Sequence, residues 1–433
     1  MEHLVSVKKT VRIAESAADL RRFLDKTIFK SDFSLQRIKL AEQNQWSIKS
    51  GALSHISNGF FHVAGIRSRI SGAEHLILFQ PQSALTGLAL FRDGSQIYLL
   101  LQARVEPGLP NIGEYGPTIQ STAANYLRMH GGKSTSYVEL FRSFSPIANA
   151  LGSNIQFDLG KRYFFKSKLH SYLELDEQVE TKENMIWVPL QVVGDVLAND
   201  NFLNPDLRSL LSVFDWDLFV NNELSGSSNT EVAEDDDFAF PASKLGSNEW
   251  KLIGLDQLTG WEVQEYGVAA VSDAGIWVDM VHVSCFSREV REWSQPLLSC
   301  SSQGLVVLLV RRVNDQYEFL LSMESEFGIS GGRTVLPSYV IYPGADAENI
   351  GRTFENDTLL AEMTQSEEGG RFFQNESLYR VFMVAGDNDI EPQQRWVSAE
   401  ILKSILKSSN RASLQLRCIV SLILDLLNPN SFM

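Results

Sequence analysis

"IYLLLQARVEPGLPNIGEYGP" occupies residues 97–117, and "YEFLLSMESEFGISGGRTVLP" occupies residues 317–337. The two align without a gap at an offset of 220, sharing a Leu-Leu pair, a Glu, the Gly that follows and the closing Pro. A repeat of this kind governs the whole architecture. "GKRYFFKSKLHSYLEL" (160–175) matches "GGRFFQNESLYRVFMV" (369–384) at an offset of 209, which also places Trp187 on Trp396. Upstream, "WSIKSGALSHISNGFFHV" (46–63) faces "WEVQEYGVAAVSDAGIWVD" (261–279), and Gln80-Pro81 faces Gln295-Pro296. The matches fall in one order, which identifies a duplication.

Between the copies, "NNELSGSSNTEVAEDDDFAFPASKLGS" (221–247) is acidic and rich in Ser, Gly and Asn, the composition of a linker or a long surface loop. The expected organisation is a first module over 1–225, a linker over 226–248 and a second module over 249–433. Short β-rich runs, Phe60–Val63, Leu85–Phe91 and Ile97–Leu101, are separated by turn signals, with Arg92-Asp93-Gly94-Ser95 as a hairpin turn. Thr118 or Ser121 is placed to cap a helix through "TAANYLRMH", and "LQVVGDVLAN" (190–199) and "SAEILKSILKS" (398–408) have helical periodicity after each Trp. The predicted class is α+β, a mixed-sheet module present twice.

Composition bounds the function. With 433 residues, 44% of them hydrophobic, the chain can build two or three real cores. No apolar run is long enough for a spanning helix and no secretory signal is visible, so a cytoplasmic location is expected, without a membrane partner. Three cysteines, Cys285, Cys300 and Cys418, have no ligand spacing and fit a reducing compartment. A net charge of −15 argues against a nucleic-acid surface but leaves room for a phosphate ligand met by local cations such as Arg104, Arg128, Lys161, Arg162, Lys166 and Lys168. Six of the seven histidines precede residue 171, yet no two share a metal-ligand spacing, and no phosphate-loop, dinucleotide, nucleophile-elbow or metalloprotease motif is present.

The segment 102–132 that follows the strand holds three prolines and five glycines among many polar groups. Proline fixes φ and glycine permits close approach, which suits a ligand-holding loop. A polar Ω-loop bonded to itself answers the same composition. At matching positions the second copy has Ser322 for Gln102, Phe327 for Pro107, Ser338 for Thr118 and Tyr342 for Thr122, so the polar set belongs to the first copy while the Leu, Gly and Pro marks survive in both. One working copy supported by a second, or drift, gives this pattern.

"SHISNGFFHVAGIRS" followed by "QP", then "LLLQARVEPG", "PTIQSTAANY" and "SYVELF" resemble the NDP-hexose 2,3-dehydratase family, over nearly the whole chain and most strongly from 54 to 141. The resemblance implies tandem duplicated Nudix-like mixed-sheet modules and a homodimer. It implies a nucleoside-diphosphate 4-keto-6-deoxyhexose as substrate, dTDP-linked, with no redox cofactor and no metal; the Nudix hydrolase box is missing here. The reaction is loss of water across C2 and C3 in deoxysugar biosynthesis, giving an unstable 3,4-diketone for a 3-ketoreductase. From the family motifs, Glu106, Tyr126 and His130 are the proton-transfer candidates. His55, Arg67, Gln80, Gln102, Arg104, Thr118, Gln120, Thr122, Asn125, Arg128 and Lys166 are the candidates for substrate binding, with Lys168 a further diphosphate candidate. Gly108 and Pro117 shape the loop. Leu109 stands where the family has Asn, Gln82 where it favours an acid, and Lys168-Leu169-His170 where it has Asn-Arg-Asn. These departures motivate one rival, a non-catalytic sugar-nucleotide-binding homologue.

Overall fold

The computed structural model describes residues 10–127, 134–142, 147–221, 249–271, 275–329, 333–345, 353–385 and 390–428. The linker expected over 226–248 lies outside them. The architecture is mixed α+β, with sheets dominating and few helices.

The run Ile97–Leu101 lies in the strand Gln96–Val105, which pairs antiparallel with Ala84–Asp93 through a two-residue turn at Gly94-Ser95. Gly94 takes a φ of 59°, a value glycine adopts without a Cβ clash. The equivalent hairpin, Gly304–Val313 with Gln316–Ser325, turns at Asn314-Asp315, both at positive φ as a type I′ turn requires. Each hairpin is the centre of a seven-stranded sheet. The first runs Ala148–Phe157, Ser167–Leu175, Ala84–Asp93, Gln96–Val105, Met185–Pro189, with Gly113–Gly116 and Ile119–Ser121 added to the hairpin. The second repeats that order with Thr358–Ser366, Glu376–Met383, Gly304–Val313, Gln316–Ser325 and Gln394–Ser398, and with Arg333–Pro337 and Tyr339–Ile341 added. Even the register shift recurs, between Ala150 and Gly152 and between Leu359 and Ala361.

Helices follow their caps. Ser398 accepts from the Ile401 N–H and starts Ala399–Lys407, whereas the helix read over 190–199 is regular only over Leu190–Gly194. Ala123–Tyr126 is a single turn after Thr122, and its expected continuation to His130 lies outside the described residues. Two helices that the periodicity did not single out, Pro205–Val213 and Leu414–Val420, are capped by Asn204 and Ser413 and pack on each other between the copies. An N-terminal helix, Ala17–Ser31, covers the first hairpin.

The copies are interlocked. Ser34–Arg37 pairs with Ile276–Ser284 of the second copy, and reciprocally Trp250–Ile253 pairs with His62–Ser68 of the first. The loop after each hairpin docks on the other copy's backbone. Gly108 N–H donates to Gly369 O at 2.7 Å and Gly108 O accepts from Gln374 N–H at 2.7 Å, while Gly328 N–H donates to Gly160 O and its O accepts from Phe165 N–H, both at 2.8 Å. Buried Arg208 reaches Gln365 Oε1 at 2.6 Å across the same boundary, and Arg417 reaches Gln156 Oε1 at 2.9 Å. Pairing therefore crosses the expected division of the chain in both directions.

A Cβ on Gly108 would stand 1.6 Å from Phe372 O, and one on Gly328 would stand 1.7 Å from Tyr163 O. Both contacts are with backbone and cannot be relieved by a rotamer. Gly108→Ala and Gly328→Ala are each expected to cost about 1–3 kcal/mol of stability, read as a lowered urea midpoint. An unchanged midpoint in both would contradict the docking.

Candidate active site

On the strand Gln96–Val105 and the residue after it, Gln102, Arg104 and Glu106 alternate with Ala103 and Val105, so the period of two sends the three polar groups to one side. Arg104 ties them together. Its Nη1 donates to Gln102 Oε1 at 2.7 Å, and its Nε and Nη2 donate to Glu106 Oε1 at 3.2 and 2.6 Å. Arg288 of the second copy approaches the same oxygen at 3.5 Å. Burial alone would raise the Glu106 pKa, but the two guanidiniums overcome it and hold the carboxyl below its usual range.

Glu106 and Arg104 open on a cavity of about 520 Å³ between the copies. The first copy contributes Gln120 and Thr122 from the strand Ile119–Ser121 and the residue following, and Asn125 from the short helix. Gln120 is oriented by Asn204, whose Nδ2 donates to its Oε1 at 2.8 Å. Lys168, Asp206 and Glu368 line the cavity as one buried charge cluster: Lys168 Nζ lies 2.6 Å from Asp206 Oδ1, 3.0 Å from Asp158 Oδ2 and 3.5 Å from Glu368 Oε2. The second copy contributes Arg288, Trp293, Gln295 and Arg371.

An aromatic group completes the lining. Trp46 is fixed by an Nε1–H donated to Ser294 O at 2.6 Å, and His55 meets Trp46 and Phe60 edge-on with centroids 5.4 and 4.7 Å apart. Burial lowers the His55 pKa, favouring the neutral ring. Arg371 sits 4.4 Å from the Phe61 ring centroid. Aromatic faces beside carboxylates, guanidiniums and neutral amides suit a ligand with an apolar face, hydroxyls and anionic groups.

Of the residues singled out in the sequence, His55, Arg104, Glu106, Gln120, Thr122, Asn125 and Lys168 line this cavity together. Others do not. Thr118 is buried, accepts from Ala89 N–H at 2.8 Å and donates to Leu100 O at 2.6 Å. Ser338 makes the same two bonds in the second copy, to Leu309 and Leu320, so this hydroxyl knits strands in both. Tyr126 packs on the cluster of Leu85, Ile119 and Val138 under Arg142. Lys166 pairs with Asp158 at 3.2 Å and Glu368 at 3.1 Å and is not part of the cavity lining. Arg67 pairs with Glu74 and bonds Gln257 O, Gln80 is buried beside Arg371, and Gln102 faces a neighbouring cavity. Arg128 and His130 lie outside the described residues. Among the described residues no group of three or more His, Cys, Asp or Glu is arranged to hold a metal ion, and no helix is long and apolar enough to cross a membrane.

Sequence reasoning missed Asp206, Arg288, Glu368 and Arg371. Asn204-Pro205-Asp206 carries a helix-start signal that locates Asp206 but not its function. The other three belong to the second copy, and only the interlock brings them to the first. In that copy the partner of Glu106 is Glu326, which takes a hydrogen bond from buried Tyr342 where the first copy has Thr122. Burial pushes the Glu326 carboxyl up to about 7.

A family model described as NDP-hexose 2,3-dehydratase matches residues 17–214 and 242–423. Three relatives carry the name dTDP-4-dehydro-6-deoxy-alpha-D-glucopyranose 2,3-dehydratase. That from Saccharopolyspora spinosa is 25% identical, covering 90% of this chain and 88% of its own. That from Streptomyces violaceoruber is 26% identical, covering 86% and 89%, and that from Amycolatopsis orientalis is 24% identical, covering 95% and 93%. Among solved structures, the Ap4A hydrolase of C. elegans matches 24% of this chain and 86% of its own at 18% identity and a TM-score of 0.19, too low to bear on the fold.

Behind the cavity, Glu114 is fully buried and accepts a hydrogen bond from Ser366 of the second copy. Burial pushes its carboxyl from 4.5 up to about 8. The folded state therefore holds a proton that the unfolded chain releases, so this contribution is complete below about pH 4.5 and lost as pH rises through about 8. Glu114→Gln is expected to flatten the decline of unfolding free energy between pH 5 and 8.5, measured by urea titration. An unaltered slope would place the proton elsewhere.

Proposed function

The chain belongs to the NDP-hexose 2,3-dehydratase family, and from that premise we propose that the cavity between the copies binds a dTDP-linked 4-keto-6-deoxyhexose and eliminates water across C2 and C3. Family and relatives point to deoxysugar biosynthesis. The observation that carries the site is Glu106, an ionised carboxylate held by two arginines in a cavity lined with amide donors and aromatic rings.

The C4 ketone acidifies the C3 proton. In this reading Glu106 removes it, and Gln120 and Asn125 donate to the enolate or the sugar hydroxyls. Arg288 and Arg371 meet the diphosphate. Loss of the C2 hydroxyl leaves an enol that tautomerises to the 3,4-diketone, with no net electron transfer to the protein. The electron balance is internal to the sugar, so the reading calls on no redox cofactor.

The same reading makes the protein a cytoplasmic hydro-lyase and a homodimer, handing its product to a 3-ketoreductase. Two Nudix-like modules, 1–225 and 249–433, are our reading of the duplicated sheets, with strands exchanged between them. Leu109, a departure from the family pattern, has a packing role: it packs on Gly369 as Ile329 packs on Gly160.

Purified protein given dTDP-4-keto-6-deoxyglucose and a 3-ketoreductase should yield, by mass spectrometry, a trapped product one water lighter before reduction. Glu106→Gln is expected to slow this by about 100-fold or more with substrate binding kept. Substrate recovered unchanged from the wild type would refute the dehydratase reading.

A further inference from the structure

The buried charge cluster contains a carboxyl that the reading above leaves without a role. Asp206 is the second residue of the helix Pro205–Val213, is 2% exposed and lines the cavity. Its Oδ1 accepts from Lys168 at 2.6 Å. Its Oδ2 has no hydrogen-bond partner among the described residues. A buried ion cluster contributes little to stability compared with neutral residues of similar volume, so a structural reason for it is weak. The second copy makes this concrete. At the offset of 209, Lys166, Lys168 and Asp206 are replaced by Asn375, Ser377 and Gln415, all buried at the equivalent positions. The scaffold is built without those ionisable groups in one copy and carries them in the copy whose polar loop lines the cavity.

We propose that Asp206 is a proton-transfer group of this cavity, the acid that protonates the departing C2 hydroxyl while Glu106 takes the C3 proton. This rests on the dehydratase reading. Glu106 removes the C3 proton, and the electron pair of that bond passes to the enolate. The enolate then expels the C2 oxygen, which takes the Asp206 proton and leaves as water. Glu106 has gained one proton and Asp206 has lost one, so the pair is reset by exchange with solvent or during tautomerisation.

The surroundings sort the two carboxyls into these roles. Burial, with Glu368 and Asp158 nearby, raises the Asp206 pKa against the pull of Lys168, whereas Glu106 is lowered by its arginines. Arg417 and Cys418 face Asp206 from the neighbouring helix. Two carboxyls of one cavity pushed in opposite directions are the arrangement that divides acid from base.

The test compares wild type, Asp206→Asn and Asp206→Glu in D₂O with dTDP-4-keto-6-deoxyglucose and the trapping ketoreductase, following C3 deuterium uptake and water loss separately. Asp206→Asn should lose dehydration by about 100-fold and keep C3 exchange within about threefold, with Asp206→Glu recovering part of the dehydration. In the wild type kcat should fall as pH rises, and Asp206→Asn should lack that limb. Dehydration kept within threefold in Asp206→Asn overturns the proposal, and so does joint loss of exchange and dehydration, which would make Asp206 a base or a positioning residue. Should Asp206→Asn not fold, Asp206→Glu decides in its place: joint loss of C3 exchange and dehydration in that variant overturns the proposal equally. Wild type that neither exchanges C3 nor loses water removes the dehydratase reading itself, an outcome distinct from failure of the Asp206 assignment.

Discussion

The reciprocal docking of two glycines on the opposite copy's backbone sets the rest of the structure. Gly108 lies on Gly369 and Phe372, and Gly328 lies on Gly160 and Tyr163, with main-chain hydrogen bonds in both directions. Only residues without a Cβ allow peptide planes to approach so closely. Because Glu106 stands two residues before Gly108, and Glu368 and Arg371 flank the backbone it docks on, this contact fixes the carboxylate relative to the second copy's charges. The cavity exists because the loops meet there.

The scaffold is symmetric and the chemistry is not. Thr118 and Ser338 bridge the same strands, Arg208 and Arg417 cross to equivalent glutamines, and the sheets share one order. Against this background each difference stands out. Arg104 becomes Glu324, Thr122 becomes Tyr342, and Lys168 with Asp206 becomes Ser377 with Gln415. In the first copy a carboxylate is surrounded by guanidiniums and kept ionised; in the second its counterpart meets a phenol in a buried place and is pushed towards neutrality. Low local dielectric makes such substitutions decisive, since an unpaired buried charge is costly and a paired one is strongly oriented.

Much was legible in the sequence. The duplication and the hairpin turn at Gly94-Ser95 follow from pattern, and the sequence named His55, Arg104, Glu106, Gln120, Thr122, Asn125 and Lys168 as candidates, which the structure places on the cavity lining. Other motif residues proved to face away. Thr118 spends both hydrogen-bonding directions on neighbouring strands, and Tyr126 buries its ring against Leu85 and Val138. A motif gives residue types and spacing alone, and a hydroxyl that bridges strands has the same signature there as one that meets a ligand.

By itself the sequence determined that this chain is a mixed α+β protein written twice and which copy carries the polar loop, because repeats and strand periodicity are properties of neighbouring residues. Only the tertiary structure decided which of those polar groups share one cavity, that Arg288, Glu368 and Arg371 complete it, and that Asp206 stands buried beside Lys168. Residues separated by about two hundred positions meet there through strand exchange and backbone docking. Burial, which sets the charge state of each carboxyl, is a property of the packed whole that no local stretch encodes.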